Sequence, residues 1–238
     1  NTTATYNIEQ AITLPSPTKT GYTFAGWKVT TAGGNWKTTD SVYKGTVAAG
    51  KYGNVTLTAQ WTANTYTITY VYNNGSANTT ATYNIEQAIT LPSPTKTGYT
   101  FAGWKVTTAG GNWKTTDSVY KGTVAAGKYG NVTLTAQWTV NTYTITYKYN
   151  NGAADTTAKY TIEQSITLPS PSKTGYTFAG WKVTTAGGNW KTTDSVYKGT
   201  VAAGKYGNVT LTAQWTANVY TITFLPNGGS VNPTSKTF

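Results

Sequence analysis

The feature that most constrains this chain is a repeat with a period of 77 residues. The run Gly-Tyr-Thr-Phe-Ala-Gly-Trp-Lys-Val occupies 21–29 and returns unchanged at 98–106 and at 175–183. Residues 1–62 are identical to residues 78–139, and the third copy differs at a few positions, including Asp155 and Lys159. A repeat of this length corresponds to one small domain per copy. The chain is therefore predicted to be a tandem array whose copies share one core and one surface.

Composition removes several kinds of chemistry from consideration. Neither cysteine nor histidine occurs among the 238 residues, so disulfides, thiol nucleophiles, thiolate metal sites and histidine bases or ligands are excluded. The first copy contains two acidic residues, Glu9 and Asp40, and the pattern gives no reason to bring their carboxylates together as a two-carboxylate hydrolase requires. We therefore expect no enzyme activity, no catalytic residue, no cofactor and no metal site.

The net charge is strongly positive and comes from lysine alone. The 18 basic residues stand against 7 acidic residues, for a formal net charge of +11, and none of them is arginine. Because arginine is the residue of bidentate phosphate and base recognition, its absence argues against a specific nucleic-acid partner. Evenly spread lysines are typical of a solvated surface, and the alternative is loose attraction to anionic polymers. With no apolar run of about 18 residues, no membrane span is predicted.

Hydrophobic periodicity indicates a mainly β fold, α+β at most. Apolar and polar residues alternate along 66–72 and again along 55–61, which is the period of a half-buried strand. The repeated run at 21–29 is predicted to be a strand with Phe24 and Trp27 on opposite faces, followed by a hairpin loop leading into Trp36. Residues 40–53 are predicted to be irregular. The predicted core of one copy is Tyr66, Ile68, Ile85, Ile89, Leu91, Tyr99, Phe101, Trp104, Val132, Leu134 and Trp138.

Each copy is expected to form a separate small domain. The connections at 62–64, 139–141 and 216–218 leave little slack between strands, so we expect the domains to follow one another as an elongated rod. The predicted divisions are 1–63, a first repeat without its opening strand; 64–140, a second repeat; 141–217, a third repeat; and 218–238, the opening strand of a following repeat.

Two interpretations of the chain ends remain open. One is that the sequence is a piece of a longer array. The other is that Tyr220, Ile222 and Phe224 form a donor strand that completes the open first repeat of a neighbouring copy, which would build a head-to-tail filament.

Four sequence motifs resemble the Listeria–Bacteroides repeat family, which includes the internalin B repeats. They are Tyr-Thr-Ile-Thr-Phe at 220–224, Asn-Gly-Gly at 227–229, the run from Leu-Pro to Gly-Trp at 14–27, and Thr-Leu-Thr-Ala-Gln-Trp at 56–61. The resemblance implies small β-grasp, ubiquitin-like domains without enzymatic activity, arranged in tandem in bacterial surface and secreted proteins that are often adhesins. It implies an extracellular or cell-surface location, which the absence of oxidisable Cys and Met also favours.

The sequence therefore favours a stalk or spacer and leaves other roles open. One alternative is the strand-exchange filament. Another is a weak carbohydrate-binding module for cell-wall or host polysaccharide, in which an exposed Trp beside a Lys stacks on sugar rings. The residues of that hypothesis are Trp36 with Lys37, Trp113 with Lys114, and Trp190 with Lys191. A Lys–Asn isopeptide cross-link assisted by Glu9 is a further possibility that spacing does not decide.

Overall fold

The computed structural model describes residues 1–232 and 235–237 and divides into two compact units. One unit comprises Asn1–Thr95 and Phe101–Trp138, and the other comprises Lys96–Thr100 and Thr139–Phe238. Every regular element within the described residues is a β-strand, and no helix occurs there. The prediction of a mainly β fold is therefore confirmed.

The strands recur in the same order in each copy. The first copy contains β1 (Ile12–Thr13), β2 (Tyr22–Thr31), β3 (Thr46–Val47) and β4 (Thr56–Ala63). The second contains β5 (Thr65–Val71), β6 (Thr79–Asn84), β7 (Ile89–Thr90), β8 (Tyr99–Thr108), β9 (Thr123–Val124) and β10 (Val132–Val140). The third contains β11 (Thr142–Lys148), β12 (Thr156–Thr161), β13 (Ile166–Thr167), β14 (Tyr176–Thr185), β15 (Thr200–Val201) and β16 (Val209–Ala217). A short hairpin, β17 (Thr221–Thr223) and β18 (Ser235–Thr237), follows.

A four-stranded sheet forms the body of the second and third copies. Its strand order is β6-β5-β10-β8 in the second copy and β12-β11-β16-β14 in the third. The opening strand lies next to the closing strand and runs parallel to it, while it pairs antiparallel with the strand that follows it. A two-stranded ladder, β7 with β9 or β13 with β15, accompanies each sheet. The first copy contains only the β2–β4 and β1–β3 pairs.

The repeated aromatic strand contains a bulge that its alternation pattern does not predict. Phe24 pairs with Trp61 and Trp27 with Ala59, with a register shift between Phe24 and Gly26. One extra residue on the bulged strand reverses the alternation beyond it, so Phe24 and Trp27 share a face instead of lying on opposite faces. Their ring centroids are 5.6 Å apart in an edge-to-face arrangement. The predicted opposition of these two rings was therefore wrong.

The aromatic strand does not turn back into a hairpin at Trp36. Its partner is β4, which lies later in the chain, and Trp36 follows a turn in which its backbone N–H donates to the carbonyl oxygen of Gly33 at 3.2 Å. The predicted hairpin was wrong because the Gly-Gly-Asn segment packs against residues 52–54 instead. A Cβ on Gly34 would lie far inside contact distance of the Tyr52 carbonyl oxygen, and Gly34 has φ +60°. Glycine is therefore required at this close approach.

The core of a complete copy consists largely of the predicted side chains. Six of them are buried in the second copy, namely Ile68, Ile89, Leu91, Trp104, Val132 and Leu134. Three more pack against this cluster while partly exposed, namely Tyr66, Phe101 and Trp138. Ile85 and Tyr99 lie instead at the contacts between consecutive copies.

The first copy shows what the opening strand contributes, because its sequence from residue 1 to residue 62 equals that of 78–139. Residues 79–84 form β6 beside β5, whereas the identical residues 2–7 form no strand. Leu134 is completely buried, and its counterpart Leu57 is only half-buried. The same residues thus adopt different structures, because the second copy has an opening strand to pair with and the first copy does not.

Candidate functional site

An aspartate-centred cluster of polar and aromatic side chains recurs in each copy, on the segment between the aromatic strand and the closing strand. We call it the Asp–Lys cluster. It consists of Trp36, Asp40, Tyr43 and Lys51 in the first copy, Trp113, Asp117, Tyr120 and Lys128 in the second, and Trp190, Asp194, Tyr197 and Lys205 in the third.

The tryptophan of the Asp–Lys cluster is buried, which contradicts the exposed ring that the predicted sugar platform requires. Trp36, Trp113 and Trp190 are only 3%, 2% and 2% exposed. In the second copy the indole Nε1–H donates to the Tyr83 hydroxyl at 2.7 Å, and Lys128 Nζ lies 4.7 Å from the Trp113 ring centroid. A stacking platform needs an exposed ring face, so the prediction that these rings are exposed was wrong.

The lysines that follow these tryptophans have exposed side chains and contact the Asp–Lys cluster through their backbone. Lys37, Lys114 and Lys191 each donate a backbone N–H to the aspartate of their own cluster at 3.1 Å. They therefore lie at the rim of the cluster beside a buried ring, and not beside a flat aromatic surface.

The aspartate carboxylate is surrounded by donors. In the first copy Asp40 Oδ2 accepts from the Tyr43 hydroxyl at 2.6 Å, and Lys51 Nζ lies 3.4 Å away. The hydrogen bond from Tyr43, followed by that from the Lys37 backbone, lowers the pKa of Asp40. Lys28 Nζ donates to the Asp40 carbonyl oxygen at 2.5 Å, which ties the aromatic strand to the same turn. Because the Lys37 backbone, Tyr43 and Lys51 all contact the same oxygen, Oδ2, this carboxylate organises the irregular segment.

The sequence contained no signal that separated this aspartate from other residues. Because the first two copies are identical over 62 positions, repetition marks Asp40 no more strongly than any surface threonine. Glu9, the other acidic residue of the first copy, lies in an exposed turn where its backbone N–H donates to Asn7 Oδ1 at 3.0 Å.

Lowering the pH is expected to destabilise each copy through this aspartate. The hydrogen bond from Tyr120 is the largest cause that lowers the pKa of Asp117 below its ordinary value of 3.8. Since the unfolded carboxyl titrates near that ordinary value and the folded one below it, the stabilisation is complete at neutral pH. It is lost as the pH falls from about 4 through the lowered folded-state pKa. Urea unfolding midpoints measured between about pH 6 and about pH 2 check this.

The variant Asp117→Asn should lose part of this acid dependence, because its side chain does not titrate. Asp155→Asn, at an exposed position in the third copy, is the control and should keep the wild-type profile. Profiles of Asp117→Asn and the wild type that run parallel through this range would show that the carboxylate contributes nothing to acid sensitivity.

A second recurrent site lies where one copy meets the next. In the unit that contains the first copy, Tyr22 donates its hydroxyl to Glu86 Oε1 at 3.0 Å. A Cβ placed on Gly21 would lie 2.7 Å from Ile85 Cδ1, and Gly21 has φ +80°. The residue at this position must therefore be glycine for the isoleucine to sit against the backbone. We call this set of contacts the joint.

The same joint forms within the other unit. Tyr99 donates to Glu163 Oε1 at 2.6 Å, and a Cβ on Gly98 would lie 2.7 Å from Ile162 Cδ1. The connecting asparagine closes the joint in both cases, since Asn64 and Asn141 donate their backbone N–H to the glycine carbonyl oxygen at 2.9 Å. The same residue types thus form the joint in both places.

The predicted donor-strand residues are exposed. Tyr220, Ile222 and Phe224 expose 59%, 50% and 41% of their surface, and the strand β17 between them pairs with β18. The third-copy residues equivalent to those of the joint, Gly175 and Tyr176, are also uncovered. Tyr176 is 41% exposed, and a Cβ on Gly175 would meet nothing within 4 Å.

Two kinds of site are not found in the part of the chain that the structure describes. No group of three or more acidic side chains is placed to hold a metal ion within residues 1–232 and 235–237. Over those same residues there is no helix with the length and hydropathy needed to cross a membrane.

Comparison with known proteins identifies the repeat. The family profile of the Listeria-Bacteroides repeat domain matches residues 1–60, 66–137 and 143–214, which is most of the chain in three tandem segments. The chain belongs to the Listeria-Bacteroides repeat domain family. Each match ends one residue before the last tryptophan of its copy, within the closing strand, so the family unit follows the same period as the strands.

Relatives of this Listeria-Bacteroides repeat chain are much longer proteins. It is 31% identical over 241 residues, or 96% of its length, to a protein of Evansella cellulosilytica provisionally named a Gly-rich membrane protein. It is 36% identical over 156 residues, or 63% of its length, to Internalin H of Listeria monocytogenes. The chain spans about a quarter of the length of each of these relatives (25%). It is a structural repeat region of a type found in cell-surface or membrane-associated proteins.

Proposed function

We propose that this chain is a non-enzymatic stalk segment of an extracellular bacterial surface protein, such as an adhesin, and that it holds another domain away from the cell. The observation that carries the proposal is the joint. Hydrogen bonds and a close glycine–isoleucine contact occupy the connection between copies, where a flexible linker would leave the chain unpaired. A spacer whose connections are packed keeps its length better than one whose connections are flexible.

The chemistry of each copy supports the same proposal. The buried tryptophan and the hydrogen-bonded aspartate of the Asp–Lys cluster stabilise the fold, and near-identical copies repeat one surface without dividing the work. The net charge of +11 supports loose attraction to anionic wall polymers as an accompanying property.

Reach from the cell surface is expected to follow the number of copies. To test this, the chain would be displayed on cells between a wall anchor and a terminal fluorescent domain. Two shortened versions would lack either residues 64–140 or both 64–140 and 141–217. Each removal should lower the fluorophore height, measured by super-resolution microscopy, by about the same step, because each copy contributes one joint and one domain. The opposite ordering of heights, or equal heights, would contradict a spacer role.

A matched variant separates length from surface chemistry. Gly98→Val disturbs the joint in the second unit, since the side chain meets Ile162 and the backbone has φ +80°. It should broaden the height distribution while the number of copies is unchanged. Lys114→Ala, at an exposed position away from the joint, should leave the distribution unaltered. The alternative in which Tyr220, Ile222 and Phe224 link neighbouring copies into a filament stays a prediction.

A further inference from the structure

The opening and closing strands of a complete copy are neighbours in one parallel ladder. In the third copy β11 pairs with β16 from Ile145 opposite Val209 to Lys148 opposite Thr212. The chain enters the copy at the start of β11 and leaves it at the end of β16. Because the two strands run parallel, the points of entry and exit lie at opposite ends of the ladder.

Side chains extend this ladder at both ends. Before the first strand pair, Asn208 Oδ1 accepts the backbone N–H of Thr144 at 2.9 Å. Beyond the last pair, Trp215 Nε1 donates to the carbonyl oxygen of Tyr149 at 2.9 Å. The second copy repeats both contacts, with Asn131 bonded to Thr67 and Trp138 to Tyr72, each at 2.9 Å. The opening strand is thus bonded to the closing strand along a length greater than that of the four paired residues.

We propose that this extended parallel ladder is a tensile clamp that lets each complete copy bear load along the chain. The inference builds on the proposed stalk function, since a stalk that anchors a cell to a surface carries tension. A pull on the chain draws β11 toward its start and β16 toward its end. The two strands are then loaded in opposite directions along the ladder, so its hydrogen bonds share the load and break together.

The opposite geometry would make a weak connection. If both attachments lay at the same end of the ladder, the strands would separate one hydrogen bond at a time, and each bond would carry the whole force in turn. The parallel arrangement of opening and closing strands avoids this, and an antiparallel arrangement of the same two strands would not. The core strengthens the clamp, because Ile145 and Leu211 on these strands are completely buried and separation of the strands exposes them.

The first copy provides an internal contrast. Its closing strand β4 pairs with β2, and the described residues contain no parallel neighbour for it. Its residue Asn54 corresponds to Asn131 and Asn208 but has no opening strand beside it. Within the described residues, the parallel ladder is therefore present in the second and third copies.

Single-molecule force measurements on the full chain test the clamp directly. The chain contains no cysteine, so a pair of introduced cysteines accepts handles at defined positions. Thr142→Cys with Ala217→Cys loads the third copy at opposite ends of the ladder, and Ala154→Cys with Ala217→Cys loads it at one end. At about 3.3–3.6 Å per residue, unfolding releases roughly 250 Å of chain in the first case and roughly 210 Å in the second, which identifies each event.

The expected result is an unfolding force several-fold higher when the ladder is loaded from opposite ends. Equal forces in the two geometries would overturn the proposal. Urea unfolding of both double variants, with tryptophan fluorescence as the signal, verifies that each one folds. This readout is independent of reach from a cell surface, so a clamp without a spacer role, or a spacer without a clamp, would be recognised.

A point variant tests the side-chain extension of the ladder. Asn208→Ala should lower the force for Thr142→Cys with Ala217→Cys and leave the force for the one-ended geometry almost unchanged, because Asn208 lies at the far end of the ladder from both of those attachments. Asn54→Ala, the equivalent change in the first copy, is the control and should alter neither value. An equal loss of unfolding force in both geometries would mean that Asn208 contributes to overall stability and not specifically to the clamp.

Discussion

Adding residues 64–77 in front of Asn1 is expected to stabilise the first copy by several kcal/mol. The added segment equals the one that precedes Asn78, so the extended first copy acquires the complete sequence of the second. It supplies counterparts of Tyr66, Ile68 and Tyr70, and burial of each contributes about 1.5–3 kcal/mol, offset in part by ordering of the added backbone. In the unextended chain, urea unfolding should show a separate early transition for the first copy.

Tryptophan fluorescence resolves this early transition. Trp27 is half-buried, whereas its counterpart Trp104 is completely buried and packs edge-to-face against Tyr70 at 5.0 Å. The difference in emission between the chain and its Trp27→Phe variant reports the first copy, and the early transition should merge with the later ones in the extended chain.

A matched extension provides the control. The same segment with serine in place of the counterparts of Ile68 and Tyr70 retains the backbone and loses the buried side chains, so it should stabilise the first copy far less. Equal early transitions in the extended and unextended chains would mean that the exposed core of the first copy is not what weakens it.

Replacement of a buried tryptophan should have the second largest effect. Trp113→Ala is expected to destabilise the second copy by about 3–5 kcal/mol, the usual cost of removing a large aromatic side chain from a core. The change also leaves the Tyr83 hydroxyl without its indole donor and removes the ring beneath Lys128. The measurement is the urea dependence of tryptophan fluorescence, with the transition of the second copy moving to lower urea.

The exposed neighbour is the natural comparison. Lys114→Ala should change stability by no more than about 0.5 kcal/mol, because its side chain lies in solvent and its backbone N–H still reaches Asp117.

Both variants are also passed over immobilised cell-wall polysaccharide. A Trp113→Ala chain with normal stability and no retention would restore the sugar-platform hypothesis, and normal retention with lost stability would exclude it.

Periodicity predicted the strands well and the aromatic cluster poorly. Alternation located the strands at 55–61 and 66–72 because one face of each is buried. The bulge after Phe24 interrupts the alternation, and a period-two rule assigns the wrong face to every residue beyond such a bulge. The prediction that Trp36 is exposed failed because Trp36 lies outside any strand, where alternation gives no information about burial. Its burial depends on Tyr6, Tyr43 and Lys51, which pack around it.

By itself, the sequence determined the period, the β class, the family motifs and the chemistry that the chain lacks. These depend on residue identity and on local alternation, which the order of residues contains directly.

Only the tertiary structure decided which strands pair, which tryptophans are buried and where consecutive copies meet. The clearest demonstration is that residues 2–7 and 79–84 have the same sequence, yet only the second segment is a strand. The parallel neighbours β5 and β10 are separated by 60 residues of chain, and no local pattern specifies that they meet. A strand becomes ordered and its apolar face becomes buried only when a partner from a distant part of the chain lies beside it.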